Sequence, residues 1–488
     1  MQKRKFSTGK ILAAAGLLLL LFLALLFFYT AARLNTGRAD GRLHRMTEEE
    51  QAVFFAPARA AWEKQRFGDL RRIPLLMEKG GNCADQAADP LDPADIRARS
   101  ALILDAATGT VIFEKNAREE IPPASMTKIA AMDTAFTLME EKGISMDARA
   151  ELPPESWAVN IPPRSSLMFL AEGQRVSMRE LFAGMAVASG NDAAIAVAFN
   201  TAGSVEAFVR LMNGRAAALG MTKTRFTEPS GLSAGNRTTA REFAFFSKIY
   251  LDTWPWALTE FHSLQRLEYP KIWNLPEAAA RNASADENGN TSGTVVQYAT
   301  NRLLGSLEGC DGLKTGYIDE SGYNFSVTCA RGNERFIAVL LGGPGANSYE
   351  GSRIRAEDGR LAMEWAFANF RTFRPAPPQI FAATVWGAEK GFTAVIPAED
   401  PVFTVPVSAA DSGSPRTDAK AEIRLHKTPR APLYAGEILG EAVWYGRNGE
   451  ILGAVDLLAA EDALSGPVWK RAADSLAERC ARILGKIR

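Results

Sequence analysis

Histidine is scarce. His44, His262 and His426 are the only three in 488 residues, and none stands in a ligand-like spacing with a cysteine. A Ser-His-Asp triad and a histidine-rich metal site are therefore poorly supplied, and each lone histidine reads as a packing or surface residue. Net charge is absent as well: 56 Lys and Arg balance 56 Asp and Glu, so there is no global basic field for nucleic acid. What is present is length and apolar content. At 47% hydrophobic residues the chain can build two or three domains with a sizeable core.

The first ten residues carry Lys3, Arg4, Lys5 and Lys10 and no acid, and Ile11 to Tyr29 is an unbroken apolar or small run. The expected organisation is a basic cytoplasmic segment (1–10), then a transmembrane anchor or signal peptide (11–30). Thr30-Ala31-Ala32 is a passable cleavage site, so a retained anchor and a cleaved signal both stay open. Either way the body of the protein is expected outside the cytoplasm, at the cell membrane. Residues 31–95 read as a stalk with some helix and no core of its own.

From Ala101 the pattern changes. Ala101 to Asp105 and Val111 to Glu114 read as strands around the turn Ala107-Thr108-Gly109. They lead into Pro122-Pro123-Ala124-Ser125-Met126-Thr127-Lys128 and a run of helix formers to Glu141, stopped near Gly143. Ser125 is then at or near a helix N-terminus, and Lys128, three residues on, shares its face. Serine needs a neighbouring base, and a lysine serves only if burial or a second cation lowers its pKa. Ser-x-x-Lys alone would occur roughly once or twice by chance. Downstream, Ser189-Gly190-Asn191 interrupts two apolar helices, and Lys314-Thr315-Gly316-Tyr317 lies in an edge strand followed by strands Gly322 to Cys329 and Phe336 to Gly342. Each of these tripeptides is expected on the order of 0.1 times by chance. Thr227 to Leu232 reads only as a turn, Thr239 with Glu242 as a capping box, and 281–293 as an exposed loop.

Asp105 to Gly109, Pro122 to Lys128, Ala188 to Ala194 and Asp311 to Tyr317, taken together, resemble serine-type D-alanyl-D-alanine carboxypeptidases, the low-molecular-mass penicillin-binding proteins, over about residues 96–372. The resemblance implies an α+β fold of the β-lactamase/transpeptidase type: an antiparallel sheet flanked by helices, with an all-helical subdomain. It implies Ser125 as nucleophile, Lys128 as base, Ser189 and Asn191 as proton relay and amide ligand, and Lys314 as the second cation and carboxylate ligand with Thr315 and Gly316. The backbone N–H groups of Ser125 and Tyr317 would form an oxyanion hole, and Arg355 would bind the substrate's terminal carboxylate. The implied substrate is a peptidoglycan stem peptide, with β-lactams as covalent inhibitors and no metal or cofactor. Glycine in the middle of Ser189-Gly190-Asn191, and no convincing glutamate-bearing loop before Lys314, argue against a β-lactamase. A D,D-endopeptidase and a catalytically silent envelope scaffold are the alternatives.

Beyond Arg374-Pro375-Ala376-Pro377-Pro378, short β-rich runs predict a small sandwich over 373–465. Residues 466–488 predict a basic amphipathic helix with Trp469, Ala472, Leu476, Cys480, Ile483, Leu484 and Ile487 on one stripe, suited to an anionic membrane or to packing on its own domain. Cys310 and Cys329 flank the expected hairpin tip symmetrically and are candidates for a disulfide, while Cys83 and Cys480 have no evident partner.

Overall fold

The computed structural model describes residues 8–35, 55–63, 89–376, 378, 380–407, 419–446, 449 and 451–483. They fall into two compact units. The larger holds residues 89–372 and 404–407; the smaller holds 8–35, 55–63, 373–403 and the described residues from 419 to 483. The basic segment 1–7, most of the predicted stalk, Cys83, and Leu484 and Ile487 of the predicted C-terminal stripe lie outside the described residues.

In the larger unit β1 (Ser100–Asp105) and β2 (Val111–Lys115) form the first hairpin. Helix α1 (Thr127–Lys142) follows the 3-10 turn Ala124–Met126 and ends at Gly143, whose φ of 65° is the left-handed stop. α2 (Met178–Ala183) runs into the π-helical turn Gly184–Ala188, and α3 (Asn191–Ala202) starts after Gly190. α4 (Ala240–Thr253) opens on the Thr239 hydroxyl, which accepts from Glu242 N. The Glu242 carboxylate does not complete the expected box there; it accepts from Lys223 N and the Thr224 hydroxyl instead.

β3 (Arg266–Lys271) and β4 (Asn290–Tyr298) make a two-stranded hairpin. β5 (Cys310–Ile318), β6 (Gly322–Arg331) and β7 (Glu334–Gly343) complete the main sheet, and α5 (Ser348–Asn369) follows. The sheet is antiparallel in the order β2-β1-β7-β6-β5, which leaves β5 on the edge.

Alternation along the strands divides the core in two. Leu102 and Leu104 of β1 join Ile337 and Val339 of β7 and, across from them, Ile129, Met132 and Phe136 of α1. Ala101 and Ile103 point the other way, with Phe325, Val327 and Leu340, under Met363, Ala366 and Phe367 of α5. Both faces are covered, which is why β1 is apolar at successive positions. Phe136 fixes α1 against the helical side, its ring 4.7 Å from that of Phe182 and 4.8 Å from that of Trp256.

The smaller unit corrects two expectations. Its β8 (Phe381–Thr384), β9 (Phe392–Pro397), β10 (Lys420–Leu425), β11 (Ile438–Tyr445) and β12 (Ile451–Ala459) form one five-stranded antiparallel sheet in the order β8-β9-β12-β11-β10, and among the described residues no second sheet of comparable size completes the expected sandwich. The covering layer comes from the segment expected to be a coreless stalk. Residues 55–63 are helical, and Phe55, Ala58 and Trp62 pack on Ile396 and Leu458. In the larger unit, Leu91 and Ile96, also near the end of that segment, join the core under α5.

Residues Thr8–Asn35 form one helix with Leu19, Leu20, Phe22 and Phe28 exposed. Among the described side chains no single helix is long and apolar enough to cross a membrane; Leu19–Tyr29 is a shorter apolar stretch. α6 (Val468–Ile483) buries Asp474, Ala477, Glu478 and Ala481. Asp474 accepts from Gly387 N and from the Tyr29 hydroxyl, and Glu478 pairs with Arg430. Trp469, Leu476 and Ile483 of the predicted stripe therefore face away from this packing and are exposed.

Candidate active site

Ser125 lies in the 3-10 turn ahead of α1, half-buried, and its neighbour Ala124 takes φ 51°, a left-handed value that is costly for alanine. Lys128, in the first turn of α1, is 0% exposed. Its Nζ sits 3.2 Å from Ser125 Oγ, 2.7 Å from Asn191 Oδ1 and 2.6 Å from the Ser230 carbonyl oxygen. Burial lowers its pKa from the usual lysine range to about 7, against an upward pull from the Glu228 and Asp192 carboxylates. Of the two causes the sequence left open, burial and a second cation, desolvation is thus the leading one. Lys314 is itself buried and held well below the usual lysine range, first by burial and then by the charges of Lys128 and Arg355.

Ser189 and Asn191 arrive through the break between α2 and α3. Ser189 takes φ 57°, ends the π-helical turn and is buried; Asn191 begins α3. Asp192 secures this corner. Its buried carboxylate accepts from Met168 N (2.8 Å), Phe169 N (2.8 Å) and Leu170 N (3.0 Å), and Asn191 N donates to the Ser166 carbonyl.

The opposite wall is β5. Gly316 packs against the serine turn: a Cβ there would lie 2.7 Å from the Pro123 carbonyl oxygen and 3.1 Å from Ser125 N, so only glycine allows this approach. Asn324 ties the next strand to the same turn, donating to the Pro122 carbonyl at 3.0 Å and accepting from Gly342 N. Thr315 Oγ1 is 2.5 Å from Thr300 Oγ1. Arg355, on α5, donates to the carbonyls of Gly316 and Thr300, each at 3.3 Å, and so braces β5 from behind. The Tyr317 side chain is 46% exposed, its ring 4.4 Å from that of Tyr323 and its hydroxyl donating to Asp319 at 2.7 Å.

Ser125, Lys128, Asn191, Lys314 and Gly316 are thus linked through direct contacts, close backbone approach or mutual charge. The Ser230 carbonyl, Glu228, Asp192 and Asn324 were not anticipated. The expected Cys310–Cys329 disulfide is not formed. The two residues are partners across β5 and β6, but the register slips between Cys310 and Gly312, and both remain thiols. They meet as a hydrogen-bonded couple that lowers the Cys310 pKa and raises that of Cys329.

A buried lysine against a half-buried serine hydroxyl, faced by a second buried lysine on an edge strand, is an arrangement that fits a serine hydrolase. The chain belongs to the D-alanyl-D-alanine carboxypeptidase family, whose sequence profile matches residues 85–345. It is 30% identical over 395 residues to D-alanyl-D-alanine carboxypeptidase DacC of Escherichia coli, covering 80% of this chain and 90% of that one. It is 29% identical over 367 residues to D-alanyl-D-alanine carboxypeptidase DacF of Bacillus subtilis, covering 75% and 85%. Among solved structures, penicillin-binding protein 5 of Haemophilus influenzae superposes with a TM-score of 0.64 at 25% identity, over 77% of this chain and all of that one.

Proposed function

We propose that this D-Ala-D-Ala carboxypeptidase works through an acyl-enzyme on Ser125, with Lys128 as the base. The observation that carries this is the environment of the Lys128 amine, fully buried and in contact with Ser125 Oγ, Asn191 Oδ1 and the Ser230 carbonyl. A neutral amine has two N–H bonds and one lone pair. Two fixed acceptors, Asn191 and Ser230, take the N–H bonds, and the lone pair is left facing the serine hydroxyl.

The substrate is a peptidoglycan stem peptide ending in D-Ala-D-Ala. Lys128 takes the Ser125 proton as the serine oxygen bonds to the carbonyl carbon between the two D-alanines. The developing oxyanion is met by the N–H groups of Ser125 and Tyr317, each such donor worth about 3 kcal/mol of barrier. The carbon–nitrogen bond then breaks, and the leaving nitrogen takes a proton through Lys128 or Ser189. Water attacks the ester, its proton going to Lys128, and releases the shortened peptide and free Ser125. Lys314 and Thr315 receive the terminal carboxylate, with the Arg355 charge acting from behind the strand at Gly316. β-Lactams, which present an acyl bond and a carboxylate in similar relation, acylate the same serine.

The test is release of free D-alanine from diacetyl-Lys-D-Ala-D-Ala, with intact-mass detection of a penicillin adduct, for the wild type and Ser125→Ala. Release and adduct in the wild type, and neither in the variant, is the expected result. An adduct without D-alanine release would instead favour a silent binding protein or an endopeptidase.

The location we infer is the membrane, with the larger unit on the outer side. It rests on the basic residues before Ile11, the exposed apolar side chains of the N-terminal helix, and the exposed Trp469, Leu476 and Ile483 of a helix whose opposite face is occupied. Expressed full length, the protein should stay with membranes after a high-salt wash and be accessible to protease added from outside. Recovery in the soluble fraction would refute the assignment.

A further inference from the structure

Five donors converge on one carboxylate beside the site. Glu228 accepts from Ser230 N (2.7 Å), Ser230 Oγ (2.5 Å), Gly231 N (2.7 Å), Ser233 N (3.4 Å) and Asn236 Nδ2 (3.0 Å). A solvated turn glutamate has no need of such a set. Asn236, itself fully buried, extends the network: its Nδ2 also lies 3.1 Å from the hydroxyl of Thr127, the residue before Lys128. The turn is pressed against the serine segment. Gly231 takes φ +84°, and a Cβ there would come within 1.9 Å of the Ala124 carbonyl oxygen. The backbone this carboxylate organises presents the Ser230 carbonyl at 2.6 Å from Lys128 Nζ.

We propose that Glu228 is a positioning residue for the base: by gathering the N–H groups of Ser230, Gly231 and Ser233 it fixes the Ser230 carbonyl that orients the Lys128 amine toward Ser125. This rests on the reading of Lys128 as base. Without a fixed Ser230 carbonyl the amine would keep only Asn191 as an anchor. It could then rotate, so that an N–H rather than the lone pair met the serine. The binding wall at Lys314 and Gly316 is a separate strand and is not touched by this change, so the defect belongs in kcat and not in KM.

A second consequence separates positioning from plain scaffolding. The charged groups facing Lys128 are Glu228 on this turn, Asp192 on α3 and Lys314 on β5. Of these, Glu228 gives the largest upward pull on the Lys128 pKa. Replacing it by a neutral residue lets that pKa fall, so the acidic limb of kcat/KM moves to lower pH.

The experiment measures D-alanine release by the full chain and its Glu228→Gln, Glu228→Asp and Ser125→Ala variants across roughly pH 5 to 9. Glu228→Gln should lose about 10- to 100-fold in kcat, part of the ~10²–10⁴ that a well-placed proton acceptor supplies. Its KM should stay within about twofold and its acidic limb should lie below the wild type's. Glu228→Asp, which keeps the charge, should recover part of the rate and keep the wild-type limb. Wild-type kcat in Glu228→Gln, or a lost rate with an unmoved limb, would overturn the proposal. If Glu228→Gln does not fold, Glu228→Asp decides: reduced kcat at constant KM supports positioning, and an unchanged kcat refutes it. Ser125→Ala separates the two levels. Activity surviving there sinks the acyl-enzyme reading itself, whereas a silent Ser125→Ala beside a normal Glu228→Gln sinks only this inference.

Discussion

The two walls of the site each bury a lysine, and they treat it differently. On the wall built from α1, α3 and the 227–236 turn, Lys128 loses its water but faces Glu228 and Asp192, which partly restore its proton affinity and leave its pKa at about 7. On the wall built from β5, Lys314 loses its water and faces two cations, Lys128 and Arg355, which add to the downward push of burial instead of opposing it. Equal burial therefore gives unequal chemistry. The first amine is balanced to exchange a proton near neutrality. The second is held away from its charged form until an anion arrives to stabilise it, which suits a group that receives a carboxylate and a proton together.

This contrast can be broken on either side. The larger effect is expected at Lys128. Lys128→Met keeps an unbranched side chain only one atom shorter and removes the base, and kcat/KM for D-alanine release should fall by about 10²–10⁴. The pH profile sharpens the point. A base must be unprotonated, so wild-type kcat/KM should rise about tenfold per pH unit below about 7 and level off above it. The residual activity of Lys128→Met should lack that limb. A limb that persisted in the variant would assign the titration to another group.

At Lys314 the expected loss is smaller. Lys314→Met removes one charge-assisted contact and should cost about 10- to 100-fold in kcat/KM. Because the Lys314 pKa is depressed in the free protein and a carboxylate would raise it, ligand binding should take up protons. Titration calorimetry of Ser125→Ala with a carboxylate-bearing β-lactam, in buffers of different ionisation enthalpy, reads this uptake directly. No uptake in Ser125→Ala, or equal uptake after Lys314→Met is added, would show that the two lysines do not divide the work in this way.

The site residues legible in the sequence were those whose side chains the structure brings together. Ser125, Lys128, Asn191 and Lys314 stand in three short motifs whose joint occurrence in this order composition does not produce by accident. The strands of the main sheet were legible for a related reason: Ala101 to Leu104 is apolar at every step because both faces are covered. What stayed hidden was carried by main chain and by long-range pairing. The Ser230 carbonyl bears no residue signature, since any amino acid supplies one. Glu228 looked like a turn residue because its partners are backbone N–H groups of its own turn. Phe55, Ala58 and Trp62 form too short a pattern to announce that they cover a sheet whose strands lie more than 300 residues later. The Cys310–Cys329 pairing was read correctly as opposition across strands, but opposition alone does not make a bond, and the two remain thiols.

The approach of Gly316 to the serine turn limits how this enzyme can vary. The gap between the edge strand and Ser125 is bounded by peptide groups on both sides, the Pro123 carbonyl and Ser125 N against the Gly316 Cα. Its width is therefore not adjustable by point substitution, since any larger residue at 316 would collide before it could reshape the opening. Lineages that needed a wider or narrower cleft would have to shift or lengthen the strand itself, while single replacements remain free to retune the rim, where the exposed Tyr317 side chain already stands clear of that constraint.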